Sequence, residues 1–219
     1  MKKIYFLFVA LLFTLSVGAQ TIPEEPATSS RAIDLGLPSG LKWASCNVGA
    51  TAPEEYGGYY AWGETEEKED YSLSTYKYCN GSYYSMTKYC TSSSYGTVDN
   101  KTALEPEDDV AHVQWGGSWR MPTFNEIEEL RNNCTWQWTT LNGVTGYRVT
   151  GPNGNSIFLP AASYRDGVEV YSQGSYGSYW SSSLNRSYSN SAYGLFFSSS
   201  SYYYYVSRYF GHSVRPVSE

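Results

Sequence analysis

The chain predicts an α+β domain in which one amphipathic helix docks on short antiparallel strands, with long ordered loops between them. Three observations carry this. A helical period occupies the stretch Thr123 to Cys134, a period of two surrounds Asn142-Gly143, and the other apolar runs are short and cut by glycine, proline or asparagine. The 219 residues suffice for one sizeable domain, and nothing in them forces a second.

The first segment stands apart from that domain. Met1, Lys2 and Lys3 give a positive start, Ile4 to Val17 an apolar run too short to span a bilayer comfortably, and Val17-Gly18-Ala19 a small-residue site with cleavage expected before Gln20. Residues 1–19 read as a secretory signal peptide. No cysteine follows the cleavage point to take a lipid anchor, so the mature chain is expected outside the cytoplasm, secreted or at a cell surface, without a transmembrane segment. Residues 20–31, acidic and broken by Pro23 and Pro26, have the composition of a polar tether, which leaves residues 32–219 as the domain. Removing Lys2 and Lys3 takes the formal charge from -6 to -8, which disfavours nucleic acid as a partner.

Ala32 to Leu35 leads into the turn Gly36-Leu37-Pro38-Ser39-Gly40. Leu41 and Trp43 then alternate with Lys42 in a segment, Leu41 to Val48, that suits a short strand. Tyr56 to Trp62 suits another. The acidic cluster from Glu64 to Asp70 is most simply a solvated loop, and Tyr71 to Lys101 is a long Ser/Thr/Tyr loop with little periodicity. In an oxidising compartment the four cysteines are expected to pair. Cys79 and Cys90 bracket a Gly-containing turn, which favours a local bridge. Cys46 and Cys134 would then close the long loop, worth roughly 4 to 5 kcal/mol against about 3 for the short one in a chain-entropy account. Zinc is disfavoured because no C-x₂-C pair occurs. Asp99, Glu105, Glu107, Asp108 and Asp109 lack the regular spacing of a calcium loop and read as a charged surface, so no metal and no cofactor is expected.

Thr123 and Glu126 form a capping box at the start of the helix, expected over residues 124–133. Phe124, Ile127, Leu130 and Cys134 share one face of it. Trp136 and Trp138 alternate with polar residues up to Asn142-Gly143, a strong hairpin signal, and Tyr147 and Val149 alternate on the return. Ser156 to Pro160 is a third strand, and further short strands are expected at residues 179–182, 192–197 and 213–217.

From Tyr171 to His212 tyrosine and serine crowd out most other residues. Tyrosine offers a large ring with a polar tip and few rotors to freeze, while serine and glycine adapt at low cost, a mixture that suits a binding surface. A Tyr-rich β-core and a loose low-complexity segment are the alternatives, and Trp180, Leu195, Phe196 and Phe197 weigh against the second. Tyr188, Asn190, Tyr193, Tyr202, Tyr204, Tyr209, Phe210 and His212 are the candidate ligand-binding residues. In an extended Tyr202–Tyr205 run alternate rings face opposite sides, so half of them would be available.

LGLPSGLKWASCNVGA, WGGSWRMPTFNEIEEL, NGNSIFLPAASYRDG, YWSSS and RYFGHSVRPV, in that order from about Ala32 to Val217, resemble the Fibrobacter succinogenes major paralogous domain of secreted Bacteroidetes-type proteins. That resemblance implies a C-type-lectin-like fold, similar to the formylglycine-generating-enzyme branch, whose G-x-x-W/Y-R-L-P-T-x-x-E-W pattern is matched by Gly116 to Thr123 and Glu126. The same fold serves as scaffold for variable proteins of diversity-generating retroelements. Residues 185–212 look like a diversified stretch set among the framework residues Trp180, Ala192, Leu195, Phe197, Arg208, Gly211, Val214, Arg215 and Pro216.

Catalytic groups are sparse. The only histidines are His112 and His212, and a triad of Ser181, His212 and Asp166 has no G-x-S-x-G elbow behind it. Glu126, Glu128 and Glu169 could be proposed as paired carboxylates, but Glu126 caps a helix and Glu128 lies on its exposed face. The oxidases of the related branch use a cysteine pair in the C-terminal part, and here no cysteine follows Cys134. Glu105-Pro106-Glu107 only partly echoes the calcium-lectin motifs. The expectation is a non-catalytic protein that binds a protein or glycan ligand at a cell or phage surface, with a sugar-stacking module or adhesin as the alternative and an enzyme less favoured.

Overall fold

A computed structural model describes residues 31–199 and 202–219, with the backbone alone for Tyr202 to Tyr204. The expected signal peptide and all of the tether except Arg31 lie outside the described residues. Small antiparallel sheets dominate and helices are few, a mixed, sheet-rich arrangement compatible with α+β. Among the described residues no helix is long and apolar enough to cross a membrane.

The first sheet joins the two ends of the domain. Strand β2 (Lys42–Ala44) lies between β1 (Ala32–Asp34) and β11 (Val217–Ser218), with Trp43 opposite both Ile33 and Val217. The expected segment 213–217 contributes a strand only at its end. Its earlier residues make isolated contacts: Val214 O accepts from Val48 N, and Ser213 bridges residues 178–180 by donating to Ser178 O and accepting from Trp180 N. Tyr56 to Trp62 likewise forms no strand. Its amides go to separate acceptors, Gly58 to Val48, Tyr60 to His212 and Trp62 to Arg208, so the run threads the core instead of joining a sheet. Tyr59, Tyr60 and Trp62 are all buried there.

The helix bears out its sequence. Helix α2 (Phe124–Asn133) begins with Thr123 Oγ1 accepting from Glu126 N at 3.3 Å, while the Glu126 carboxylate accepts from Thr123 N at 2.7 Å. Arg120 grips the same carboxylate with two nitrogens at 2.7 and 2.8 Å. A shorter helix, α1 (Val110–Trp115), precedes it and was not anticipated. Asp109 caps it by accepting from Ala111 N and His112 N.

The meander forms as expected from β3 (Thr135–Leu141), β4 (Val144–Thr150) and β5 (Ser156–Pro160). Leu141 pairs with Val144 across Asn142 and Gly143, whose φ values of 48° and 85° suit the two-residue type I′ turn. A two-stranded sheet of β6 (Tyr164–Asp166) and β7 (Glu169–Tyr171) follows.

The last sheet orders β10 (Tyr202–Ser207), β9 (Ser191–Phe197) and β8 (Gly177–Leu184). It divides the core. Trp180, Leu184, Ala192 and Phe196 belong to a cluster with Trp62, Tyr76 and Tyr89, whereas Tyr179, Leu195 and Phe197 belong to one with Trp43, Ile127 and Leu130. Because successive strand residues point to opposite faces, both faces of β8 and β9 are covered. Small residues make this possible. A Cβ on Gly177 would meet the Phe197 ring at 2.0 Å.

Two buried arginines close the frame. Arg215 donates to Asn47 Oδ1 at 2.8 Å, to the carbonyls of Ala44 and Ser45, and to Phe158 O at 2.8 Å. Arg208 donates to the Tyr76 hydroxyl at 2.9 Å and to the carbonyls of Tyr89, Ser189 and Lys88. Its guanidinium carbon also lies 4.8 Å from the Trp62 ring centre. Oxygens of the main chain and neutral side chains thus satisfy both cations, which ties distant loops together.

The expected bridges Cys46–Cys134 and Cys79–Cys90 are not formed, and all four cysteines are free thiols. Cys46, Cys79 and Cys90 each donate to a nearby carbonyl, of Ala50, Leu73 and Ser92. Cys134 packs against the Trp43 cluster, where burial pushes its thiol up to about 11. Carboxylates hold the loop of residues 71–101 instead. Asp99 accepts from the amides of Tyr89, Cys90 and Lys101 at 2.8 to 3.1 Å. Asp108, read from sequence as charged surface, is buried and accepts from Tyr78, Tyr89 at 2.7 Å, Lys77 at 3.2 Å and Lys88 at 2.6 Å. Burial pushes that carboxyl up, but the bonds from Lys88, Tyr78, Tyr89 and Lys77 outweigh it and hold the group down at about 2.

Candidate binding surface

The loop between β8 and β9 turns on Asn185, whose side-chain oxygen accepts from the amides of Ser187 and Tyr188 at 3.0 and 3.2 Å. Ser189 then anchors it to the long loop by accepting from Thr91 N at 3.0 Å. Such side-chain-to-backbone turns fix a loop without burying a ring. Tyr188 is accordingly left 47% exposed.

Tyr188 stacks on Tyr205, with ring centres 5.9 Å apart and planes 18° from parallel. Tyr205, 49% exposed, lies opposite Tyr193 in the register of β10 and β9. Those two rings meet edge to face at 6.3 Å. Tyr193 is half-buried because Phe124, the first residue of α2, stacks on it at 4.5 Å. Phe124, Tyr193, Tyr205 and Tyr188 thus make one row that runs from the start of α2 to the β10 edge of the last sheet, beside the core that covers β8 and β9.

Of the four rings in this row, the sequence candidates include Tyr188 and Tyr193 but not Tyr205 or Phe124. Sequence reasoning named Tyr202 and Tyr204 among the candidates without fixing which half of their run is available, and the side chains of both lie outside the described residues. The register of β10 on β9 slips between Tyr203 and Tyr205, so simple alternation does not carry through the run. Phe124 was assigned to the core-facing stripe of its helix, and it lies at the rim of that stripe.

Tyr209 and Phe210 belong to a second group. Their rings are 4.5 Å apart, Tyr209 shares a hydroxyl contact of 3.1 Å with Tyr83, and Phe210 reaches Tyr164 at 5.7 Å. Asn190 is half-buried, with its side chain on Ser191 at 3.2 Å and its carbonyl accepting from Arg208 N at 3.1 Å, so it steadies the frame.

His212 is corrected. It is 1% exposed, with Trp180 at 4.3 Å and Phe196 at 5.1 Å around its ring, and neither ring nitrogen has a hydrogen-bond partner. Burial pushes the imidazole down to about 3, so it is neutral and apolar in use. The reason lies in its backbone, which exchanges two bonds with Tyr60 and turns the ring inward. The set Ser181, His212 and Asp166 is not brought together either. Ser181 Oγ donates to Tyr193 O at 2.7 Å, and Asp166 ends a strand of the hairpin.

Glu126 is spent on its cap and on Arg120, and Glu128 on Arg131 at 2.9 Å. Glu105, Glu107 and Asp108 place their oxygens within 4.8 Å of one another, and the ammonium of Lys88 lies 2.6 Å from both Glu105 and Asp108. An amine already fills the role of counter-charge in that group. Comparison with models of protein families, with curated proteins and with solved structures finds no match to this chain. What its geometry defines is a sheet-rich domain with a row of aromatic rings at the edge of its last sheet.

Proposed function

We propose that this chain is a secreted, non-catalytic ligand-binding protein with a C-type-lectin-like fold, and that its contact surface is the aromatic row of Tyr188, Tyr205 and Tyr193. The observation that carries the reading is that Tyr188 and Tyr205 stack with about half of each residue exposed, at the edge of a sheet whose β8 and β9 residues are largely core. Rings already held in position lose little freedom when a partner covers them. A protein at a cell or phage surface is the favoured ligand, because the row spans a loop and two strands and offers ring faces.

The test uses the intact chain against a phage-displayed peptide library and a glycan array. Replacing Tyr188 and Tyr205 together by alanine is expected to weaken whatever binding is found by at least about tenfold. The midpoint of thermal unfolding should stay within a few degrees. Full binding by the double variant would overturn the proposal.

Glycans are the second reading, favoured by the near-parallel pairs Tyr188–Tyr205 and Tyr164–Tyr171, since stacked phenol rings are also what a sugar ring lies against. Signal on the glycan array, unchanged by a chelator, would select it. Diversification by a retroelement fits the contrast between buried Trp180, Ala192, Leu195, Phe197, Arg208, Val214 and Arg215 and the exposed positions between them. A reverse-transcriptase gene beside an adenine-rich near-copy of residues 185–212 is expected on that view, and their absence would remove it.

A further inference from the structure

The β6–β7 hairpin carries a surface that the aromatic row does not use. Gly167, at φ 56°, takes the first of its two loop positions, and Val168 beside it is 64% exposed. Among the described residues β7 pairs only with β6, and Glu169, Val170 and Tyr171 are all exposed. Tyr171 stacks on Tyr164 at 5.3 Å and 15°, and exposed Tyr176 follows five residues on. An apolar, ring-bearing strand therefore faces water.

Its border is mainly acidic. Asp166 and Glu169 are register partners, and an oxygen of Asp70 lies 4.0 Å from where a Cβ on Gly167 would sit. Glu69 is held against the hairpin through Arg165, whose Nη2 donates at 3.3 Å to both Glu69 O and Val168 O. Arg165 itself turns toward the Tyr71 ring, 5.1 Å away, and Lys68 is paired with Glu64 at 2.8 Å. Among the described residues none of Glu69, Asp70, Asp166 and Glu169 forms an ion pair. Burial, and then repulsion from Asp70, push the Asp166 carboxyl above its ordinary value. Like charges left facing one another are a cost that an arriving cation removes.

We propose that this hairpin is a docking surface for an arginine- or lysine-bearing segment of a partner protein, with the cations meeting Asp70, Asp166 and Glu169 and their stems lying on Tyr171 and Tyr176, since Tyr171, Asp166 and Glu169 share the face of the hairpin opposite Arg165 and Val170. These side chains combine a positive head with an apolar stem, and an aromatic face beside a carboxylate suits both parts. The chain uses the same pairing internally, where Lys68 lies 5.5 Å from the Tyr71 ring beside Glu64, and Lys88 lies 4.9 Å from the Tyr89 ring beside Asp108. Arginine is the stronger match, since its plane can lie on a tyrosine while its edge meets a carboxylate. This goes beyond the proposed function, because it needs neither Tyr188 nor Tyr205.

The experiment measures binding of a short fluorescent peptide of alternating arginine and glycine to the intact chain by anisotropy, at low and at physiological salt. Asp70→Asn with Asp166→Asn is expected to weaken binding about tenfold, and Tyr171→Ala about threefold. Glu54→Gln with Glu107→Gln changes the net charge equally on other loops and should cost less than about twofold. Tyr188→Ala with Tyr205→Ala should leave the peptide affinity unchanged, which separates this surface from the aromatic row. If the first pair does not fold, Glu169→Gln on the exposed strand must still weaken binding about threefold. Equal losses from both acidic pairs would show general attraction to an acidic protein and overturn the proposal. So would displacement of the peptide by calcium chloride that by itself raises the unfolding midpoint, which would make the carboxylates a divalent-cation site.

Discussion

Two populations of tyrosine divide this molecule. In the loop from Tyr71 to Tyr89 each buried hydroxyl has a partner: Tyr71 donates to Tyr59 O, Tyr76 to Trp62 O at 2.7 Å, and Tyr78 and Tyr89 to Asp108. At the β10 edge of the last sheet Tyr188 and Tyr205 meet other rings, and among the described residues their hydroxyls bond to nothing. The same residue type therefore does two kinds of work. Where the polar tip is bonded inside the protein, the ring belongs to the frame; where the tip is left to water, the ring is available to a partner.

The largest expected effect falls where the first population converges. Arg208→Met removes a cation that holds the Tyr76 hydroxyl and three carbonyls in a site closed to solvent. Leaving those acceptors unpaired should cost about 3 to 5 kcal/mol, read from urea unfolding. The tyrosines around it would loosen together. A loss below about 1 kcal/mol would mean that the loop stands on its own carboxylates, Asp99 and Asp108, and that the arginine is dispensable.

A pH dependence sharpens the same contrast, because His212 lies among frame rings although its chemistry suits a surface. Its folded value of about 3 lies below the unfolded 6.5, so the unfolded chain takes up a proton first as pH falls. Stability from this residue is whole above pH 6.5, declines at up to about 1.4 kcal/mol per pH unit below it, and levels off only near pH 3. His212→Phe fills the same space without titrating. Its urea midpoint should fall less steeply than that of the parent chain between pH 6.5 and pH 4. Parallel curves would show that the ring is reached by water.

Legibility from sequence followed the distance over which each signal acts. The helix from Phe124 and the hairpin at Asn142-Gly143 rest on contacts within a few residues, and both stand where expected. The β6–β7 hairpin carried a local signal too, in Asp166-Gly167, which went unread. Tyr56 to Trp62 was misread because its bonds go to His212 and Arg208, more than a hundred positions away. The cysteine bridges were inferred from the compartment, whereas side-chain positions decide them. For the proposed surface, composition pointed to the Tyr-rich C-terminal strands but could not tell exposed tyrosines from buried ones. Burial of His212 and the slip of register before Tyr205 are set by tertiary contacts.

The finest test deletes only the hydroxyl. Tyr76→Phe leaves Trp62 O and Arg208 Nε without a partner inside the core, an expected loss of about 2 kcal/mol. Tyr205→Phe removes a hydroxyl that stands in water, so its change should stay within about 0.5 kcal/mol. Both variants keep every ring contact, and the difference between them isolates the role of the polar tip. Equal losses at the two sites would place Tyr205 in the frame and leave the row without a free edge. A near-zero change at Tyr205, with ligand binding reduced by the same substitution, would assign that hydroxyl to the partner.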